Sequence, residues 1–391
     1  MLMPIRRVAA LVLVLALPAA TTAGAVSTRE HSARIERDIR PPIRTADPKP
    51  QTLAQAMAAH RVPSISVAVA DHGKIVWARA WGWADLHTHR PATVRTLYQA
   101  GSVSKPVAAG AALRLVEQGR LSLDADINSQ LRTWRLPDSP AAHGRTVTLR
   151  QLLTHTAGLT VHGFPGYVAG AQVPTVVQVL DGAAPANTAA VRIEREPGTV
   201  WNYSGGGITI AQLMMTEAAA EPFPKLMQRL ALGPAGMTHS TYEQPPAPPF
   251  ADEAATGYTA LEAPVPGRYH VYPEMAAAGL WTTPEDLVKW ALALQRAYAG
   301  QGSALMSAAS ARAMLTPGLG HWGLGIEVVG DGHGLRFSHG GDDAGFKTQI
   351  IGWMSGGRAI AVMSNGDASV GVERSLLQAI AREYGWGDVD P

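Results

Sequence analysis

The sequence predicts a mixed α/β (α+β) domain: an antiparallel sheet flanked by helices, with a helical lobe inserted between the N- and C-terminal parts. Three observations point there. Strand-period runs joined by tight turns occur near both ends, over 64–81 and again over 322–364. A helical pattern borders each of these sets. Between them, residues 121–273 are rich in helix-like segments, proline and glycine. A sheet must bury its apolar face, so the simplest assembly lays the terminal helices on the sheet and packs the helical lobe beside it. With 391 residues, 46% apolar and 16% charged, the chain can support a sizeable core.

Taken in order, Arg6 and Arg7 precede an apolar run from Val8 to Ala19, and Ala23-Gly24-Ala25 offers a small-residue cleavage site. This is the layout of a secretory signal peptide over 1–25. The run is short of the ~20 apolar residues that span a bilayer, and no later segment is longer. A periplasmic or secreted protein is expected, with no membrane span in its mature form. Residues 26–51 are charged and carry Pro41, Pro42, Pro48 and Pro50, the composition of a linker or extended arm. The main domain then occupies 52–391, with an α/β lobe over 52–120 and 274–391 and the helical lobe over 121–273.

Thr52 and Gln55 form a capping box that opens a helix through His60. Ser64–Ala70 and Ile75–Trp81 read as a hairpin turning at Asp71-His72-Gly73. Ser102–Gln118 is a helix poor in charge, hence buried, with Pro106 tolerated in its first turn. Thr148–His155, Ile208–Ala219 and Phe223–Leu232 are helical, and Thr283 caps a helix over Pro284–Tyr298. Trp322–Val329, Gly334–Ser338, Lys347–Met354 and Arg358–Ser364 are strands. Val372–Tyr384 closes the chain as an amphipathic helix.

Composition removes several function classes. The 33 Lys+Arg nearly balance 31 Asp+Glu, and no basic tract supports nucleic-acid binding. Without cysteine there are no disulfides, thiol nucleophiles, zinc ribbons or iron–sulfur clusters. No G-x-S-x-G elbow, H-E-x-x-H or Walker loop occurs. His87 and His89 flank one residue in a hairpin-like loop, and a metal site there would lack other ligands. The Asp342-Asp343 pair reads as a solvated turn.

Chemistry concentrates in three motifs. Ser102-Val103-Ser104-Lys105 is the one S-x-x-K in the chain. Positions three apart share a helix face, so the Lys105 amine can reach the Ser102 hydroxyl. A serine is a poor nucleophile until a base takes its proton, and a lysine serves only when neutral, a state that burial and a helix N-terminus favour. Backbone N–H groups at the helix start can stabilise an oxyanion. Tyr203 lies in a Gly-rich turn before a helix, placed to exchange a proton near a lysine. His339-Gly340-Gly341 ends a strand, and its glycines let backbone approach a ligand. His155 reads as structural, holding a junction. Trp81, Trp83, Trp201, Trp281 and Trp322 read mostly as core, with one or two at the pocket.

The order Ser-x-x-Lys, Tyr-Ser-x, His-Gly-Gly resembles the serine β-lactamase and penicillin-binding-protein superfamily, on its class C β-lactamase and D-Ala-D-Ala carboxypeptidase (peptidase S12) branch. The resemblance runs from about Thr52 to the C-terminus. It includes Gly119–Asp124, the His155-Thr156-Ala157-Gly158-Leu159 stretch and Ala277–Thr283. It implies an acyl-enzyme on Ser102, acid–base work shared by Lys105 and Tyr203, His339 in the third motif, and an oxyanion hole from the N–H groups of Ser102 and Asp342. The chain departs from class C β-lactamases in two places. Gly205 stands where Tyr-x-Asn has its Asn, and His339-Gly340 stands where Lys-Thr-Gly has its cation and hydroxyl. Each lost charge-assisted bond is worth ~1.5–3 kcal/mol, so efficient β-lactam hydrolysis is not expected. The pattern is similar to the esterases, amidases and D-aminopeptidase-like hydrolases of the group. Its implied partner is a small-molecule or peptide substrate, with a weak β-lactamase, a D-alanyl carboxypeptidase or a low-turnover penicillin-recognising protein as alternatives.

Overall fold

The structure, a computed structural model, describes residues 28–41, 49–387 and 389. The expected signal peptide lies outside them. Its first element corrects the sequence reading of 26–51 as linker. Helix α1 (Thr28–Arg37) packs on the C-terminal helix, burying Ile35, while Ile39 is buried just beyond it. His31 stacks on Tyr384 with ring centroids 4.9 Å apart and bonds Glu383 at 2.8 Å. Charged neighbours hide this short apolar stripe, and tertiary packing rather than propensity makes the helix.

Helix α2 (Leu53–Ala59) starts with the expected capping box of Thr52 and Gln55. Strands β1 (Ser64–Asp71), β2 (Lys74–Asp85) and β3 (Arg90–Pro91) follow. A 3₁₀ turn over Gly101–Val103 leads into α3 (Ser104–Glu117), which buries most of its residues as its low charge implies. In the helix- and loop-rich region beyond, α4 (Gly205–Ala219) is the most buried helix. It starts three residues before Ile208 because Ser204 caps it, accepting the Gly207 N–H at 3.0 Å. The short α5 (Met275–Ala278) and the long α6 (Pro284–Tyr298) then lead back to the sheet.

Strands β4 (Glu327–Val329), β5 (Arg336–Asp343), β6 (Phe346–Trp353) and β7 (Ala359–Ser364) precede the last helix, α7 (Val370–Tyr384). The expected strand over 322–329 is cut to its last three residues. Trp322 keeps a single bridge to Glu327, with Gly323 and Gly325 turning the chain between them. Among the described residues the main sheet has seven antiparallel strands in the order β3-β2-β1-β7-β6-β5-β4. The N-terminal hairpin thus joins the C-terminal strands through β1 and β7.

Side-chain size alternates on those two central strands. Ile65, Val67, Val69, Ile360 and Val362 face one core with α1, α2 and α7. Ala68, Ala70, Ala359 and Ala361 face the other, where α6 lies on the sheet. Period-2 alternation supplies both faces, and the alanines let the helix approach closely. Among the described residues no helix is long and apolar enough to cross a membrane.

Candidate active site

The three motifs meet where α3, α4 and the β5 edge converge. Ser102 sits in the 3₁₀ turn, and Lys105 follows at the start of α3. Lys105 is 3% exposed, and its Nζ donates to Ser102 Oγ at 2.8 Å and to the Ala277 carbonyl at 2.8 Å. The 277–280 segment also clamps the turn. Ala100 N–H donates to the Leu280 carbonyl at 2.8 Å, and Leu280 N–H donates to Ser104 Oγ at 2.9 Å. The family-like stretch Ala277–Thr283 therefore has a local function: it fixes where the Ser102 and Lys105 backbones lie.

Tyr203 precedes the N-cap of α4, and Lys105 Nζ is 5.0 Å from its ring centroid. His155 is fully buried and packs on the same ring, centroids 4.2 Å apart. Its Nδ1 accepts the Ser204 N–H at 3.2 Å, and its carbonyl accepts the Asn202 N–H at 2.7 Å. These bonds brace the Tyr203 turn from both sides, in line with a structural role. Burial, reinforced by Lys105 and His339, holds the His155 imidazole well below its ordinary range.

His339 is 5% exposed on β5, with its ring 6.4 Å from Tyr203 and 5.3 Å from Trp322. Its Nδ1–H donates to the Gly340 carbonyl at 2.6 Å, leaving Nε2 without a partner. Burial and then Lys105 push its pKa down to about 3. A neutral imidazole thus stands in the third motif. The consequence for stability follows from the sign of the shift. Below 6.5 the unfolded histidine takes up a proton while the folded one stays neutral down to about 3, so this group weakens the fold as pH falls through that window. His339→Gln, which does not titrate, is expected to lose about 2–3 kcal/mol less unfolding free energy than wild type between pH 7 and 4.5. Urea titrations at the two pH values measure this; parallel losses would place a charged His339 in the fold.

The β5 edge is pressed against the serine turn. A Cβ on Gly341 would lie 2.0 Å from the Ala100 carbonyl oxygen, and one on Gly101, where φ is +51°, would lie 2.5 Å from the Asp342 nitrogen. Only glycine allows this approach, which brings Ser102 and Asp342 to the same cleft. Gly341→Ala is expected to lower kcat/KM roughly tenfold to a hundredfold by displacing one backbone donor, together with a lower Tm. Unchanged turnover would remove Asp342 N–H from the chemistry.

Ser102 stands between two cavities. One, about 470 Å³, is walled by Phe164, Pro165, Ala277 and Asp343. The other, about 430 Å³, is walled by Tyr203, Trp322, Glu327, His339 and Gln349. Asp342 and Asp343 are not simply a solvated turn. Asp342 is exposed and bonded to Lys347 at 2.6 Å, but strand alternation turns Asp343 inward to 3% exposure, and burial pushes its carboxyl well above the usual range. A Cβ on Gly205 would lie 2.8 Å from Phe164 Cε2, so a longer side chain there would have to displace that ring. Phe164 and Glu327 were not singled out by sequence, because neither belongs to a motif and each reaches the site through tertiary contact; Ala277 was noted only as part of a family-like stretch, without its carbonyl's contact to Lys105. Among the described residues no group of His, Asp and Glu converges as a metal-binding cluster.

The fold is that of the serine β-lactamase and penicillin-binding-protein superfamily. The Beta-lactamase family model matches residues 50–384, and the chain belongs to that family. It is 31% identical over 189 residues to Esterase EstB of Burkholderia gladioli, covering 47% of this chain and 48% of that one. It is 26% identical over 249 residues to Beta-lactamase of Escherichia coli (strain K12), covering 61% of this chain and 58% of that one. The chain thus spans about half the length of the curated relatives it matches. Among solved structures, the octameric penicillin-binding protein homologue from Pyrococcus abyssi superposes with a TM-score of 0.71 at 22% identity, covering 85% of this chain and 76% of that one. At that identity the likeness concerns the fold.

Proposed function

We propose that this chain is an exported serine hydrolase that forms an acyl-enzyme on Ser102 and cleaves an ester or amide bond, in small molecules or small or D-configured peptides. The observation that carries the reading is a complete Ser102–Lys105–Tyr203 set beside a neutral His339.

The geometry supports a balanced sequence of steps. With Nζ neutral, the 2.8 Å contact to Ser102 runs in reverse, the amine accepting the hydroxyl proton as Oγ attacks the substrate carbonyl carbon. The oxyanion lies against the N–H groups of Ser102 and Asp342. Collapse breaks the bond to the leaving group, which takes a proton from the Lys105 and Tyr203 pair. Water then attacks the acyl-enzyme, its proton passing back to the same pair, and Ser102 is released. His339 offers no cation to a substrate carboxylate, which argues against efficient penicillin turnover. The esterase relative supports the same direction. The N-terminal layout of residues 1–25 supports export.

Turnover of p-nitrophenyl butyrate beside a chromogenic cephalosporin tests the proposal, with intact-mass detection of an adduct on Ser102. Fast ester cleavage with a transient acyl adduct and near-background cephalosporin hydrolysis is the expected result. Faster cephalosporin cleavage would make the chain a β-lactamase, and a stable penicilloyl adduct without turnover would make it a penicillin-recognising protein.

A further inference from the structure

Resting on the acyl-enzyme reading above, we propose that Lys347 is a positioning residue that supplies the counter-charge of the oxyanion hole: it holds and neutralises the Asp342 carboxylate, so that the Asp342 N–H can serve a developing oxyanion. The need for such a group is visible in the walls. Five carboxyl groups line the two cavities at Ser102, those of Glu327, Asp342, Asp343, Asp367 and Glu373. Among the described residues the cations on these walls are Lys105, which acts as base only when neutral, and Lys347. Attack of Ser102 Oγ on a carbonyl creates one more anion in this acidic setting.

The five carboxyls are not equivalent. Burial holds Asp343 well above the usual range and raises Glu373, whose Oε1 accepts from the Ser364 and Ser369 hydroxyls. Glu327 lies opposite Ser338, further along β5 from the serine turn, and accepts its hydroxyl at 3.2 Å. Asp342 is the carboxylate whose own backbone nitrogen lies against the serine turn, 2.5 Å from a Cβ built on Gly101. Its charge therefore cannot be far from the N–H that the oxyanion uses. Strand register sets Lys347 on β6 directly across from it. Lys347 is 9% exposed, and its Nζ donates to Asp342 Oδ1 at 2.6 Å and to Asp367 Oδ1 at 2.7 Å. Asp367 is anchored in turn by the Gly345 N–H at 3.0 Å. Burial opposes the charge on Lys347, but the bonds to Asp342 and Asp367 outweigh it and raise the pKa, so the ammonium persists at neutral pH.

Asp342 lines both cavities, so a substrate seated on Ser102 displaces the water that would otherwise screen its carboxylate. Without Lys347 that charge would face the oxyanion through a medium of low effective dielectric. An uncharged substrate carbonyl feels this little, whereas the transition state feels it fully. Acylation and deacylation pass through the same oxyanion, so the effect falls on kcat and leaves KM nearly unchanged.

The test follows p-nitrophenyl butyrate hydrolysis in a double-mutant cycle. Lys347→Met is expected to lower kcat roughly thirtyfold, with KM within about threefold of wild type. Adding Asp342→Asn to Lys347→Met is expected to restore most of the lost kcat, because the carboxylate that needed neutralising is gone. A purely bracing ion pair predicts the opposite, since the double variant lacks the brace as well and would stay as slow as the single one. Asp367→Asn keeps the question open to measurement if Lys347→Met does not fold. It leaves Lys347 to Asp342 alone and is expected to raise kcat about threefold. Full turnover in Lys347→Met, no recovery in the double variant, or an unchanged or lower kcat in Asp367→Asn overturns the counter-charge, while Ser102-dependent turnover by the wild type leaves the acyl-enzyme reading standing. Absence of that wild-type turnover overturns both.

Discussion

Ser102→Ala is expected to lower kcat/KM by ~10⁴ or more, the scale seen when a nucleophile acting as part of a unit is removed. The fold should hardly notice. Ser102 lines the cleft, half-buried in its 3₁₀ turn, and its hydroxyl is met by Lys105 Nζ rather than by the core. Lys105 keeps its second acceptor, the Ala277 carbonyl, so the variant leaves no buried donor stranded. Thermal unfolding within a few degrees of wild type, with no acyl adduct after ester incubation, is the expected pair of results. Turnover within tenfold of wild type would mean that another nucleophile acts, and the acyl-enzyme reading would fall.

Much of this was legible in the chain because the site is built from local patterns. S-x-x-K places Lys105 beside Ser102 by helical spacing, and the 2.8 Å contact needs no distant partner to be foreseen. The strands 64–81 and 347–364 were legible from period-2 alternation. What stayed hidden depends on tertiary packing. The helix over Thr28–Arg37 was hidden because its stripe of Ile35 and Ile39 lies among charged residues and has meaning only against the C-terminal helix. The start of the Gly205–Ala219 helix was hidden because three glycines oppose helix propensity. They are there for close packing, with Phe164, Val191 and Leu159 at the positions their side chains would fill. Asp343 was hidden because a pair of adjacent carboxylates looks solvated until strand alternation turns one of them inward. His339 was legible as a motif residue, but its neutrality follows from burial and Lys105, neither visible without the fold.

The same dependence on packing governs the second large effect. Lys105→Met is expected to reduce kcat/KM by about three orders of magnitude, within the ~10²–10⁴ range for a positioned acid–base group. Methionine conserves most of the volume, so packing beside α4 and Tyr203 changes little. Two bonds disappear: the one to Ser102 Oγ, which carries the chemistry, and the one to the Ala277 carbonyl, which is structural. The second loss leaves a buried acceptor without a donor and should cost about 1–3 kcal/mol of stability. The two effects separate by measurement, since unfolding free energy reports the Ala277 bond and the burst of p-nitrophenol under single-turnover conditions reports the proton transfer. A stability loss with full burst amplitude and less than tenfold slower acylation would assign the base to Tyr203 alone and leave Lys105 as the residue that holds the serine turn to the 277–280 segment.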